Sequence, residues 1–308
     1  MTSTMRTLWK CIFLIIGICC VIIIYKLRSD LIIKYRNWIS QNHSKKNESL
    51  RDRLPSVVHF TWYVDKISDL KFHEYTSILS AHRNFNVDRI HFYTNNEPKG
   101  ELWNKILNEL MGIIYIIYRT PPSHELLNEK FENTYYATSA SNVDRVLLLY
   151  EYGGIYMDMD VIAIQPIPDY VTKSCFMGLE SEQKLCGSFI ACEANSPFLA
   201  IWLNSYLTDY RIEEWSYNSG MVPTQIAKRF PKMIHLSRLI NQPNFKHLDQ
   251  IWGNSQYNWK NNIAMHIWYR LYTYDQDLYD MYPDSNFTNI LTNNRTIDQI
   301  YKFVHYKT

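Results

Sequence analysis

The sequence predicts an α/β protein, a sheet layered with helices, carried behind an N-terminal membrane segment. Three observations point there. Short runs of β-branched and aromatic residues alternate with amphipathic stretches from Ser56 onward. The 308 residues are 46% hydrophobic with a net charge of only +2, so there is material for a sizeable core and the chain is not disordered. Residues 8–25, LWKCIFLIIGICCVIIIY, hold a single charge, Lys10, near their end. The near-neutral balance also argues against bulk nucleic-acid binding, and 9 Gly with 11 Pro exclude a collagen-like or Pro-rich filament.

Residues 8–25 reach about 27 Å as a helix, just enough for a thin bilayer of the early secretory pathway. The run meets Tyr25, Lys26, Leu27 and Arg28 rather than small residues, which favours an uncleaved anchor over a signal peptide. This divides the chain into a tail (1–7), an anchor (8–25), a polar stem (26–54) and a body (55–308). Basic residues lie on both sides of the anchor, and their count alone would place the body in the cytosol. Glycosylation sequons at Asn42, Asn47, Asn286 and Asn294 favour a lumenal body instead, hence a single-pass type II protein of the Golgi membrane. Of six Cys, three (Cys175, Cys186, Cys192) lie in the body, so at most one internal disulfide forms and one thiol is left over.

Within the body, SVVHFTW (56–62) reads as a strand and 70–83 as a helix. DRIHFYT (88–94) alternates as a strand does, ELWNKILNELM (101–111) spaces Leu102, Ile106 and Leu110 as a helix does, and GIIYIIY (112–118) reads as a buried strand. In SASNVDRVLLLYEYGG, Ser141 and Asp144 have capping-box spacing, Val143, Val146, Leu147 and Tyr150 share one helix face, and Gly153–Gly154 stop the helix. IYMDMDVIAI (155–164) then reads as one strand, with Tyr156, Asp158, Asp160 and Ile162 on one face.

On that strand Asp158 and Asp160 would sit roughly 7 Å apart. Two carboxylates so placed suit a hard divalent cation, Mn²⁺ or Mg²⁺, whose octahedron substrate phosphates often complete. An Asp-x-Asp pair alone is a weak signal, and a second copy, Asp275 and Asp277, occurs in YTYDQDLYD. That copy has no glycine turn or apolar strand beside it and reads as a solvated helix face. A structural salt bridge is the plain alternative for Asp158 and Asp160, since buried carboxylates need partners.

SNVDRVLLLYEYGGIYMDMDVIAI resembles the sugar-binding region of family-32 glycosyltransferases. This group includes fungal initiating mannosyltransferases and animal α-1,4-galactosyl- and α-1,4-N-acetylglucosaminyltransferases, and the clostridial glucosylating toxins share a related core. VVHFTWY, YTSILSAHR, WSYNSGMVPTQIA and NNIAMHIWYR extend the resemblance over most of residues 56–270. It implies a GT-A fold, a UDP- or GDP-sugar donor, Mn²⁺ or Mg²⁺, a glycan, glycolipid or glycoprotein acceptor, and retention of anomeric configuration without a protein nucleophile. By position, it implies that Asp158 and Asp160 bridge the metal to the donor diphosphate, with His266 as a further ligand. Arg145 would contact donor sugar or phosphates, Trp62 would stack on the base, and Trp268 would lie in the segment that closes over the donor. Tyr217, Asn218 and Ser219 are candidate substrate contacts. If 264–270 is a strand, His266, Trp268 and Arg270 share a face.

One position departs from the family. Asn142 stands where many relatives carry an Asp that holds sugar hydroxyls; Asn bonds hydroxyls without the charge. This leaves a second reading open, a weak or inactive transferase acting as a sugar-binding protein. A metal-dependent phosphoester hydrolase or nucleotidyltransferase would want a third or fourth acid or a His cluster, and none lies near 158–160 in the sequence.

Overall fold

Six consecutive buried residues, VVHFTW, form β1 (Val57–Trp62). Apolar and aromatic side chains on both faces fit a central parallel strand covered on each side. The computed structural model describes residues 54–122, 136–169, 171, 174–211, 213–254 and 256–307, all within one unit, Asp52–Thr308. The tail, the anchor, nearly all of the stem, Asn42 and Asn47 lie outside the described residues. Among the described residues no helix is long and apolar enough to cross a membrane.

β2 (Arg89–Thr94) and β3 (Ile114–Tyr118) pair in parallel outward from β1. The helices α1 (Phe72–Phe85) and α2 (Glu101–Glu109) connect them. β4 (Gly154–Met157) lies parallel to β1 on its other side. Beyond it come β7 (Lys184–Cys192), antiparallel to β4, then β6 (Cys175–Ser181) and β8 (Ile234–Ser237). The sheet order is therefore β3-β2-β1-β4-β7-β6-β8, mixed but mostly parallel. A two-stranded sheet pairs β5 (Val161–Ala163) with β9 (Ala264–His266).

Apolar cores cover both faces. Phe60, Ile78, Phe92, Trp103, Ile155 and Phe176 belong to one, and Val146, Tyr156, Met177, Phe198 and Trp202 to the other. Ile155 and Tyr156, like Phe176 and Met177, divide between the two as strand alternation requires. The helix α3 (Tyr136–Tyr152) serves the second core with α4 (Pro197–Thr208) and α5 (Val222–Arg229). Shorter helices α6 (Asp249–Trp252), α7 (Tyr269–Tyr274) and α8 (Gln276–Met281) precede α9 (Thr296–Tyr306), which packs on α1.

Several expectations are corrected. The helix expected from Ser141 already includes Tyr136–Ala140, so Ser141 is interior and Asp144 caps nothing; no Gly or Pro interrupts those residues. Asp144 is instead fully buried and chelated by Arg119. β3 is an edge strand of half-buried and exposed residues, not a buried one. The strand expected over 155–164 breaks at Met157, and that expected over 264–270 ends at His266. Of the body cysteines, Cys175 and Cys192 form a disulfide linking the start of β6 to the end of β7, and Cys186 is free and buried.

Candidate active site

The edge of the sheet at the carboxyl ends of β1 and β4 is where strand order reverses, the usual place for a ligand in an open α/β sheet. Two glycines deliver the chain there. The Gly153 amide closes α3 on the Leu149 carbonyl at 2.8 Å. Gly154 has φ +99°, and a Cβ there would stand 2.6 Å from the Val57 carbonyl oxygen, so this tight passage into β4 is open only to glycine.

After Met157 the chain turns. The Asp158 amide donates to the Ser188 carbonyl (2.8 Å), and the Val161 amide donates back to the Asp158 carbonyl (3.0 Å). The Met-Asp-Met-Asp alternation thus runs through a turn rather than along one strand. The physical reason is the charge: ionised carboxylates buried on a sheet face would be costly, whereas in the turn the side chains of Asp158 and Asp160 keep 24% and 21% exposure.

Each carboxylate has its own partners. Asp158 is held by Arg145 (Nη2–Oδ1 2.9 Å) and by the Tyr156 hydroxyl (2.8 Å). Arg145 is itself buried, donating to the Ser141 and Gly187 carbonyls (3.1 and 2.7 Å) and lying over the Tyr156 ring. Burial pushes the Asp158 carboxyl up, Arg145 opposes this, and the neighbouring Asp160 charge adds to it, leaving a net upward shift. Asp160 pairs with His266 (Nε2–Oδ1 3.2 Å) and accepts the Tyr269 amide (3.1 Å). Burial raises this carboxyl too, but the charge and hydrogen bond of His266 outweigh it and hold Asp160 at about 2. Burial lowers His266, yet Asp160, with help from Cys186, raises it to about 10.

Both carboxylates open into a cavity of about 1050 Å³, at the top of the range for small-molecule sites, roughly 300–1,000 Å³. Trp62, Asn142, Arg145, Tyr217, Asn218, Ser219, His266 and Trp268 all line it, so the structure brings these sequence-derived candidates together. Trp62 is buried against Phe92, and its Nε1 finds no hydrogen-bond partner among the described residues. Trp268 has φ +54°, stacks 3.7 Å from the His266 ring and donates to the Pro243 carbonyl. Tyr217–Met221 form a π-helical turn, a geometry frequent at functional sites. Asn218 there accepts from the Arg211 amide and donates to the Asp209 carbonyl (both 2.9 Å), and the Tyr217 hydroxyl donates to Asp209 (2.8 Å). Those two side chains thus brace their own loop. Asn286 and Asn294 are exposed at the surface. Asp275 caps α8 and Asp277 sits in its first turn, both exposed and away from the cavity, as expected for a solvated face.

Sequence reasoning missed other cavity residues. Lys71, His73 and Glu74, at the start of α1, face the cavity with Tyr269. His73 stacks on Tyr269 at 3.6 Å, and burial drives it down to about 3, so it is neutral at physiological pH. Burial pushes Glu74 up to about 7 while it accepts the Lys71 amide at 2.7 Å. Trp215 and Arg270, which lie within WSYNSGMVPTQIA and NNIAMHIWYR but were given no role there, also line the cavity. His73 and Glu74 lie just before YTSILSAHR, but nothing in their spacing separates them from the rest of a helix.

Among the described residues no three His, Cys, Asp or Glu side chains form a ready-made metal cage. The donor set nevertheless fits a hard cation in part. Two carboxylates face one cavity, and the charge of one disfavours ionisation of the other, a repulsion that a divalent ion relieves. The rest of an octahedron would come from diphosphate and water. His266, as an imidazolium bonded to Asp160, has no lone pair to offer and would have to release its proton to become a ligand.

A family described as "Glycosyltransferase sugar-binding region containing DXD motif" matches residues 29–177. The chain is similar to Glucan organizing enzyme 1 of Cryptococcus neoformans var. grubii, 26% identical over 204 residues, covering 59% of this chain and 52% of that protein. It is also similar to lactosylceramide 4-alpha-galactosyltransferase of Mus musculus, 29% identical over 90 residues, covering 29% of this chain and 24% of that protein. The matches thus span about half of the first relative's length and a quarter of the second's. Among solved structures, the PaToxG glycosyltransferase is 18% identical, covers 92% of this chain and 97% of its own, and has a TM-score of 0.42.

Proposed function

The chain belongs to the DXD-containing glycosyltransferases of family 32, and from that premise we propose that it is a retaining, metal-dependent transferase of GT-A type. It moves a hexose or N-acetylhexosamine from a UDP- or GDP-sugar to a hydroxyl of a glycan, glycolipid or glycoprotein. The observation that carries this is the turn at Asp158–Asp160, which presents two carboxylates at the sheet's switch point into a cavity with Trp62 on its wall. The printed names of two relatives, a glucan organizing enzyme and a lactosylceramide galactosyltransferase, fit a carbohydrate acceptor.

Asp158 and Asp160 would hold Mn²⁺ or Mg²⁺, which when bound supplies Lewis-acid neutralisation of the leaving diphosphate. The chain's own residues do the rest. Arg145 fixes the Asp158 carboxylate from behind, and His266 and the Tyr269 amide fix Asp160, so neither has to reorganise on binding. Trp62 offers the cavity-facing part of its indole to the base. Screening UDP- and GDP-sugars for Mn²⁺-dependent thermal stabilisation tests this reading. A donor at 100 times its Kd should add about 2.7 kcal/mol; no stabilisation by any nucleotide sugar or nucleoside diphosphate would sink it.

Asn142 favours a second reading, a sugar-binding protein without turnover, because it puts a neutral amide on the cavity wall where many relatives carry a charge. Transfer or hydrolysis of any nucleotide sugar decides between the two.

The Golgi location, with a type II anchor over residues 8–25 and a lumenal body, is part of the proposal. It is supported by the buried Cys175–Cys192 disulfide, a bond of oxidising compartments, and by the exposure of Asn286 and Asn294. Expression in a secretory host should give glycoforms that a deglycosidase collapses and that N286Q/N294Q reduces. Protease access to the body from the cytosol would contradict it.

A further inference from the structure

Trp215 is 66% exposed. It does not sit on a floppy tip. Arg211 ties its loop together, bonding Asp209 and Glu214 at 3.0 Å each and stacking 4.1 Å over the Tyr217 ring. Trp215 follows Glu214 directly and so projects from a braced segment. The Arg270 guanidinium lies 5.0 Å over the indole ring. Arg270 also donates to Thr138 Oγ1, at 3.4 Å, in the first turn of α3. One indole face is therefore set by a cation, and the other stays open. Both side chains line the same cavity as Asp158 and Asp160.

This pairing has no place in the donor-side arrangement. The base has Trp62, on another element; the diphosphate has the carboxylate turn with its cation. Arg270 is one residue beyond Tyr269, whose amide binds Asp160, so the platform stands next to the reacting end of the cavity.

We propose that Trp215, held by Arg270, is the stacking platform of the acceptor subsite. The open indole face takes the apolar C–H face of a pyranose, while the Arg270 guanidinium, on the opposite face, holds the indole in place. The inference rests on the transferase reading and gives its acceptor side a named residue.

Ligand-observed NMR titration of the full chain tests this, with lactose, mannobiose and chitobiose as probes in the presence of Mn²⁺ and UDP or GDP. At least one disaccharide should bind wild type. Trp215→Ala should weaken it at least tenfold, Trp215→Phe should restore most of the affinity by keeping a ring face, and Arg270→Met should weaken it several-fold. Nucleoside diphosphate stabilisation should stay at the wild-type value in all three variants. Equal sugar affinity in wild type and Trp215→Ala would overturn the subsite, as would failure of every disaccharide to bind wild type that does bind nucleotide. Failure of wild type to bind nucleotide would refute the underlying transferase reading instead.

Discussion

Trp62 shows how one residue can carry two roles. It is 7% exposed and packs on Phe92 as a core residue does, yet it borders the cavity, and its buried N–H has no partner among the described residues. An orphaned buried donor costs about 1–3 kcal/mol, a cost that a core Phe would avoid. Trp62→Phe should therefore leave the thermal midpoint of the unliganded protein unchanged or raised and, because a ring face remains, keep most of the nucleotide affinity. Trp62→Ala removes the ring face, and base stacking predicts a loss of about 1–3 kcal/mol in nucleotide binding. Calorimetric titration of both variants with UDP and GDP is the check. Wild-type nucleotide affinity in the folded Trp62→Ala protein would make Trp62 purely a core residue.

The junction of α3, β1 and β4 positions the carboxylate turn, and His59 locks it. The Gly153 carbonyl can only accept, so His59 Nε2 donates to it (2.8 Å), leaving Nδ1 to accept from the Tyr93 hydroxyl (3.2 Å). Burial lowers His59 to about 3. Between pH 6.5 and about 3 the unfolded chain therefore binds the proton that the folded one refuses. Stability from this group is complete above pH 6.5 and falls as pH drops through that window, by on the order of 1 kcal/mol per pH unit. His59→Gln can keep the bond to Gly153 and does not titrate, so its thermal midpoint should fall less steeply than wild type from pH 6.5 to 4. Parallel slopes would contradict this. The elements around the junction were legible because their signals are local: the apolar run of β1, the alternation of β2, the helix face of Val143, Val146 and Tyr150, and the double-glycine stop. The turn at Asp158 was not legible, since alternating polarity reads the same whether the chain stays extended or bends after two residues. Nor was the left-handed Trp268 that ends the run after His266, because only tertiary packing selects it. β3 read as buried because its five apolar residues carry no mark of a missing neighbour.

At the scale of the molecule, the cavity is assembled from β1, α1, α3, the β4–β5 turn, β7, the π-helical turn and residues 266–271. Motif resemblance reached most of this, including Asp158, Asp160 and Arg145. It did not reach the ion pairs behind them, nor His73 and Glu74, and although it spans Trp215 it gave that residue no role, since contacts between such distant segments leave no periodic trace. Those ion pairs decide how the central claim, that the Asp158–Asp160 turn holds a cation against a nucleotide, is best tested. Asp158→Asn would strand the buried Arg145, and breaking a buried pair costs about 3–5 kcal/mol, so lost activity there could follow from lost folding. Asp160 is the cleaner probe, because its partner His266 can shed its proton when the carboxylate is removed. The deciding measurement is sugar transfer by Asp160→Asn, with Asp277→Asn as control, across a panel of UDP- and GDP-sugars with Mn²⁺. Folded Asp160→Asn should lose transfer by at least about 100-fold, together with Mn²⁺-dependent stabilisation by the nucleoside diphosphate, while Asp277→Asn matches wild type. Transfer and stabilisation near wild type in Asp160→Asn would contradict the account.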